Sequence, residues 1–150
     1  MAGFKGKYEH SIDDKGRVSL PSRMRKSLSS EAQDAFVITR GHETCLYLYP
    51  MDTWNTVEED IRKRLNVHKE QDRLFMRTLL MWAHEVGLDK QARFPIPQEL
   101  LDFARIKGSV LLIGALDKIE VWSPDVFTQY LDSHSDQSFE AVAAAVLGGD

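Results

Sequence analysis

One motif occurs twice in this chain. "IDDKGRVSLP", Ile12 to Pro21, returns 76 positions later as "LDKQARFPIP", Leu88 to Pro97. Asp13 matches Asp89, Arg17 matches Arg93 and Pro21 matches Pro97, while Ile12, Val18 and Leu20 match apolar residues. A second match follows at an offset of 73. "VITRGHETCLYLYPMDTW", Val37 to Trp54, aligns without gaps on "VLLIGALDKIEVWSPDVF", Val110 to Phe127. The drop in offset implies three extra residues in the connecting loop of the first copy. Internal repetition of this kind decides architecture before any local propensity does.

Each copy reads as strand, turn, strand and short helix, then a second hairpin and the start of another helix. Gly16 is placed to take a positive φ in the first turn, and Pro95 marks its strand as an edge or a bulge. Pro21 and Pro97 suit the first turn of the helices that follow. A copy of about 45 residues is too small to bury a stable core alone. The expected fold is therefore α+β, with hairpins of the two copies interleaved in one pseudo-two-fold barrel. The expected organisation is a first repeat over 3–54, a helical insert over 55–87, a second repeat over 88–130 and a tail over 131–150.

Within the insert, Trp54, Val57, Ile61 and Leu65 form one helical stripe, with Asp52 as the expected N-cap. The segment Asp72 to Glu85 is apolar nearly all round and reads as a helix ending near Gly87. Such a helix needs cover on every side, from a neighbouring subunit or, in the alternative, from its own chain as a central helix. In the second copy Ser123 caps a helix with Pro124 in its first position. The tail is expected to fray, with one short amphipathic helix after Ser138.

The formal net charge is −4, yet its distribution is uneven. Residues 1–28 carry seven Lys and Arg against three acids, whereas residues 108–150 carry one Lys against seven acids. A polarised chain can present one basic face while staying acidic overall. The five histidines form no close metal-binding pair, Cys45 sits in an apolar strand, and no phosphate loop or nucleophile motif occurs. No cofactor, metal or enzymatic activity is implied. One cysteine, no signal-peptide pattern and no apolar run near the roughly 18 residues of a membrane span point to the cytoplasm.

Asp13/Arg17 and Asp89/Arg93 remain. The aspartate can accept turn N–H groups and pair with the arginine, a clamp holding the hairpin. The arginine can also read DNA, and one role does not exclude the other. Lys5, Lys7, Lys15, Arg23, Arg25 and Lys26 are expected to gather around Arg17, whereas Arg93 has Lys90 but also Glu99 and Asp102 nearby in sequence.

The chain resembles the MraZ family of bacterial transcription regulators. Four features carry the likeness: "F-x-G-x-Y-x-H-x-x-D-x-K-G-R-x-x-x-P" at Phe4 to Pro21, "C-L-x-L-Y-P" at Cys45 to Pro50, "L-D-x-Q-x-R" at Leu88 to Arg93 and "I-E-V-W" at Ile119 to Trp122. It covers residues 3–130 and leaves the tail outside. Ala92 departs from the family's glycine, which makes a left-handed turn there more costly. The resemblance implies two tandem AbrB-like swapped-hairpin repeats and closed rings, here of eight or more chains. It also implies binding to double-stranded DNA at tandem short direct repeats upstream of the division and cell-wall gene cluster, as a repressor associated with the nucleoid. By position the DNA-facing residues are Lys15 and Arg17, with Arg93 weaker; charge adds Lys5, Lys7, Arg23 and Arg25. The alternative is a ring-forming protein-interaction or antitoxin-like module with DNA contact secondary.

Overall fold

The computed structural model describes residues 3–148. The first half holds β1 (Lys7–Ser11), β2 (Arg17–Ser19), α1 (Ser22–Lys26), a 3-10 turn (Ser30–Ala32), β3 (Ala35–Arg40), β4 (Leu46–Pro50), α2 (Met51–Arg64) and α3 (Glu70–Met81). The second half repeats the series as β5 (His84–Gly87), β6 (Arg93–Pro95), α4 (Gln98–Phe103), β7 (Ser109–Ala115), β8 (Lys118–Trp122), α5 (Pro124–Ser133) and α6 (Phe139–Leu147).

The halves exchange strands. The six-stranded antiparallel sheet runs β1-β7-β8-β4-β3-β5, so β1 of the first half pairs with β7 of the second, and β5 of the second with β3 of the first. The remaining strands, β2 and β6, form a two-stranded ribbon with each other. In the sheet Tyr47 pairs with Glu120, and in the ribbon Val18 pairs with Phe94. Each pair maps onto itself when the halves are exchanged, so the pseudo-two-fold axis passes through both. Val18 and Phe94 are fully buried against Phe36, Ile38, Leu46, Leu48, Leu112 and Ile119. The expected pseudo-two-fold barrel of interleaved hairpins is the observed fold. Pro95 lies in the isolated ribbon, where both strands are edges and its missing N–H breaks no sheet ladder.

Local signals set the helix starts. Pro21, Pro50 and Pro97 each precede a helix with φ near −57° (−56°, −57° and −57°), the angle the ring fixes in any case. Ser123 and Ser138 cap α5 and α6, accepting from the N–H of Val126 and Ala141. Asp52 does not cap α2 as expected; that place belongs to Pro50. The Asp52 carboxylate instead accepts from the Thr53 N–H and the Ser29 hydroxyl, tying α2 to the loop before the 3-10 turn.

Two further expectations are corrected. The apolar helix ends at Met81 rather than near Gly87, and residues 84–87 form β5. His84 and Val86 are half-buried while Glu85 and Gly87 are exposed, the alternation of a strand laid on the free edge of β3. The repeat thus reaches further than its motif, since β5 stands to β3 as β1 stands to β7. The gapless offset of 73 also slips by one in β3 and β7. Phe36 opposite Val86 is equivalent to Val110 opposite His10, an offset of 74. One extra residue therefore sits in the β3–β4 hairpin, with five residues between Arg40 and Leu46 against four between Gly114 and Ile119.

α3 is not a central helix. It lies at the periphery with no fully buried residue, and Leu74, Phe75, Leu80 and Met81 are exposed. α6, which follows α5 as α3 follows α2, exposes Phe139, Val142, Val146 and Leu147. No helix among the described residues is long and apolar enough to cross a membrane. Residues 149 and 150 of the tail lie outside the described residues.

The equivalent turns hold Gly16 at φ +75° and Ala92 at φ +58°. A Cβ on Gly16 would lie 3.2 Å from the Ile96 carbonyl oxygen. Gly16→Ala should lower stability by about 1–2 kcal/mol, the cost of the left-handed region for a residue with a Cβ. Ala92→Gly should raise it by up to about 1 kcal/mol, because strain relief outweighs the added chain entropy. Urea unfolding of both variants checks the opposite signs.

Candidate nucleic-acid interface

Alternation along the ribbon puts Val18 and Phe94 inward. Arg17, Ser19, Arg93 and Pro95 therefore face outward, on the side away from the core. The β1–β2 loop (13–16) and the β5–β6 loop (89–92) lie at opposite ends of this outer face, tied to it by two equivalent bonds. The Ile96 N–H donates to the Gly16 carbonyl, and the Leu20 N–H to the Ala92 carbonyl, each at 2.9 Å.

Both loops are built on one clamp. Asp13 Oδ1 accepts from the N–H of Lys15 (3.0 Å) and Arg17 (2.8 Å), and Oδ2 accepts from Arg17 Nε at 2.7 Å. Asp89 Oδ1 accepts from the N–H of Gln91 (2.9 Å) and Arg93 (3.0 Å), and Oδ2 from Arg93 Nε at 2.9 Å. The N–H groups of Arg17 and Arg93 are the main reason each carboxyl titrates below its ordinary 3.8. Partial desolvation opposes this, and the arginine side chains add to it. One contact breaks the symmetry: Arg93 Nη1 also lies 3.6 Å from Asp13 Oδ2. Arg93 is thus shared between two carboxylates, whereas among the described residues the Arg17 side chain hydrogen-bonds through Nε and leaves both terminal nitrogens for another partner.

Strand exchange rearranges the other charges. Lys7 begins β1 and the loop follows its end, so about 13 Å of strand separates them at roughly 3.3 Å per residue. Lys5 lies further still and its ammonium donates to the Gly3 carbonyl. Neither gathers near Arg17. Arg23, Arg25 and Lys26 lie on α1, which leaves the ribbon beside the second loop. Arg25 pairs there with Asp34 at 3.0 Å, and the Asp34 carbonyl accepts from the Leu88 N–H. α4 packs by the first loop instead. Gln98, Leu101 and Asp102 share a surface cleft with Lys15 and Gly16. The basic segment of the first copy therefore serves the loop of the second. Lys15, Lys90, Arg23 and Lys26 are exposed and form no ion pair with another described residue.

Three other reactive side chains are held locally. Cys45 is fully buried, and burial pushes its thiol up to about 12. His84 meets Glu99 at 2.7 Å and His42 meets the Tyr47 hydroxyl at 2.9 Å. No cluster of three metal-ligating side chains occurs among the described residues.

A family model described as "MraZ protein, putative antitoxin-like" matches residues 4–78 and again 79–148. The chain belongs to the MraZ family. Curated relatives named "Transcriptional regulator MraZ" include one from Natranaerobius thermophilus, 39% identical over 147 residues, covering 98% of this chain and 99% of the relative. Another, from Caldanaerobacter subterraneus subsp. tengcongensis, is 41% identical over 138 residues, 92% of each chain. A third, from Clostridium tetani, is 36% identical over 145 residues, 97% of this chain and 99% of the relative. These MraZ relatives are named as regulators and not as enzymes. The second match runs to 148, so the tail, placed outside the resemblance on its motifs, lies inside the MraZ repeat with α6 as its last element. That α6 follows α5 as α3 follows α2 was not visible from residue identities.

A carboxyl lowered by folding stabilises the fold fully above its ordinary value. That contribution fades as pH falls through the lowered value. The clamps should therefore contribute unchanged from neutral pH down to about 5 and lose effect below 3.8. The paired variant Asp13→Asn with Asp89→Asn should have a lower melting temperature at neutral pH. It should also show a shallower fall on acidification than the parent, read by circular dichroism at a series of pH values.

Proposed function

We propose that the chain is a transcriptional repressor that binds double-stranded DNA through the outer face of the β2–β6 ribbon. Its operator is a set of tandem short direct repeats upstream of the division and cell-wall gene cluster, and it acts in the cytoplasm at the nucleoid. The supporting observation is the pair of clamped, outward-facing arginines on a two-stranded ribbon, in a chain whose relatives are named as transcriptional regulators. The major groove, about 12 Å wide, admits such a ribbon. The quartet Asp13, Arg17, Asp89 and Arg93 is neutral in sum, so attraction to phosphate falls to the exposed cations around it. Lys90, Arg23 and Lys26 take that role, with Lys15 at the tip of the first loop facing the groove. Arg25 is partly neutralised by Asp34, and Lys5 and Lys7 lie too far along β1 to reach the same groove.

Self-association completes this reading. α3 packs on β3 and α5 on β7, so the exposed apolar faces of α3 and α6 belong to opposite halves of the barrel. Docking the α6 end of one chain on the α3 end of the next is a head-to-tail contact, which makes a ring where the rotation between neighbours closes. An apolar cleft between α2, α3 and the sheet, lined by Trp54, Val57, Ile61, Phe75 and Leu79, adds to the receiving surface. A ring of eight or more chains would repeat the ribbon face in one sense, matching direct repeats. A domain of this length has a radius of gyration of about 15 Å, hence a width near 38 Å, close to the roughly 34–36 Å of one DNA turn. The second reading, an antitoxin-like module with DNA contact secondary, draws on the family's description.

Footprinting on the DNA upstream of the chain's own gene separates the readings: regularly spaced protection supports the first, and none supports the second. Arg17→Ala should abolish specific binding, and Arg93→Ala, already shared between two carboxylates, should weaken it less. Lys90→Ala should flatten the salt dependence by about 0.9 in log–log slope per subunit engaged, with Lys7→Ala leaving it unchanged. Light scattering should give a mass of several chains, reduced by Phe139→Ser with Leu147→Ser while the far-ultraviolet spectrum holds.

A further inference from the structure

The two loop tips share one frame and differ in chemistry. In each, the aspartate N–H donates to the arginine carbonyl (3.1 and 2.9 Å), and the residue at positive φ donates to the aspartate carbonyl (3.0 and 3.0 Å). Lys15 and Gln91 occupy the same place, each fixed by its own N–H to the clamp carboxylate. Both side chains are exposed, and neither hydrogen-bonds to another described residue. The residues before them differ as well: Asp14 in one tip, Lys90 in the other.

We infer that the tips read different bases, Lys15 a guanine and Gln91 an adenine, so that each chain recognises a box with a direction. The inference rests on the DNA-binding reading above. An ammonium can only donate, which suits the two acceptors O6 and N7 of guanine. A carboxamide donates and accepts at once, which suits N7 and N6 of adenine. Lys90, beside Gln91, is suited to phosphate, whereas Asp14, beside Lys15, is repelled by it. A barrel with identical tips would bind an inverted repeat equally well in both orientations; these tips remove that equivalence.

The ribbon fixes the spacing. Gly16 lies opposite Ile96 and Ala92 opposite Leu20, four strand steps apart, which is about 13 Å. At roughly 3.4 Å per base pair this is about four steps. Because the pseudo-two-fold axis runs through the centre of the ribbon, the tips meet opposite strands. Lys15 and Gln91 each stand one residue outside these positions, so the guanine and the adenine should lie on opposite strands at least about four base pairs apart.

The test is enrichment of a randomised duplex library on the full-length protein and on three variants, followed by competition binding of the enriched sequences. The parent should select an asymmetric box. Gln91→Ala, which keeps the clamp because only the backbone of Gln91 enters it, should lose roughly 5- to 150-fold of discrimination at the adenine alone. Gln91→Lys should replace that adenine by guanine, and Lys15→Gln the guanine by adenine, each giving a box with inverted symmetry at these two positions. An unchanged consensus in Gln91→Ala, or equal relaxation at every position, overturns the inference and leaves DNA binding standing. A parent that enriches no sequence overturns the DNA-binding reading along with it.

Discussion

Val18 and Phe94 meet on the pseudo-two-fold axis, and the arrangement of both halves depends on that contact. Each half contributes a ribbon strand of three residues with a single inward side chain. Alone, such a strand covers nothing. Together they close the concave side of a sheet whose own inner residues, Phe36, Ile38, Leu46, Leu48, Leu112 and Ile119, are fully buried. Truncating a buried phenylalanine to alanine costs about 3–5 kcal/mol, a large part of the 5–15 kcal/mol that holds a domain together. The exchange of β1 and β5 follows from the same need. A half that kept its own hairpins would bury about 45 residues' worth of core, and pairing β1 on β7 and β5 on β3 makes one core from two.

The same three-residue strands carry the outward chemistry. Side chains alternate with period two, so one step along β2 passes from core to surface. The arginines at 17 and 93 are therefore fixed in position by the burial of their neighbours at 18 and 94. The aspartates then fix their direction. Each carboxylate spends one oxygen on two backbone N–H groups and the other on the arginine Nε, which orders the loop; Arg17 keeps the end of its guanidinium free, while Arg93 turns Nη1 toward Asp13. The arrangement is neutral in sum, so it supplies geometry, and the exposed lysines supply long-range attraction.

The repeat made most of this legible. The paired motifs located the turns, the edge strand with Pro95, the proline-led helices and both clamps. Three of the features that escaped are set in three dimensions. β5 was hidden because His84 to Gly87 follows an apolar helix directly; only the vacant edge of β3 decides that these residues are extended. The one-residue slip between β3 and β7 was hidden because Val37 and Val110 share an identity, while equivalence is set by which residue faces β5 or β1. The charge around the first motif was misassigned because strand exchange carries α1 to the second loop and α4, with Asp102, to the first. Proximity in sequence is a poor guide to electrostatics in a fold whose halves are swapped.

Symmetry in the core and asymmetry at the surface serve different ends. Inside, the contacts repeat across the axis: Leu46 opposite Val121 is equivalent to Ile119 opposite Leu48, and Val18 meets Phe94 on the axis itself. At the rim that constraint is absent, and the halves diverge. α3 has twelve residues and charged neighbours, whereas α6 has nine and is mostly alanine and valine. The loop tips carry Asp14 and Lys15 on one side, Lys90 and Gln91 on the other. Both differences remove the same two-fold. On the proposed function, unlike outer helices favour head-to-tail contact over two-fold pairing, and unlike tips favour a directional box over a palindrome. In the proposed ring, whose subunits all point one way, reading in one direction matches each subunit to a direct repeat. Divergence at both places, within a frame kept symmetric by the core, provides the two conditions together.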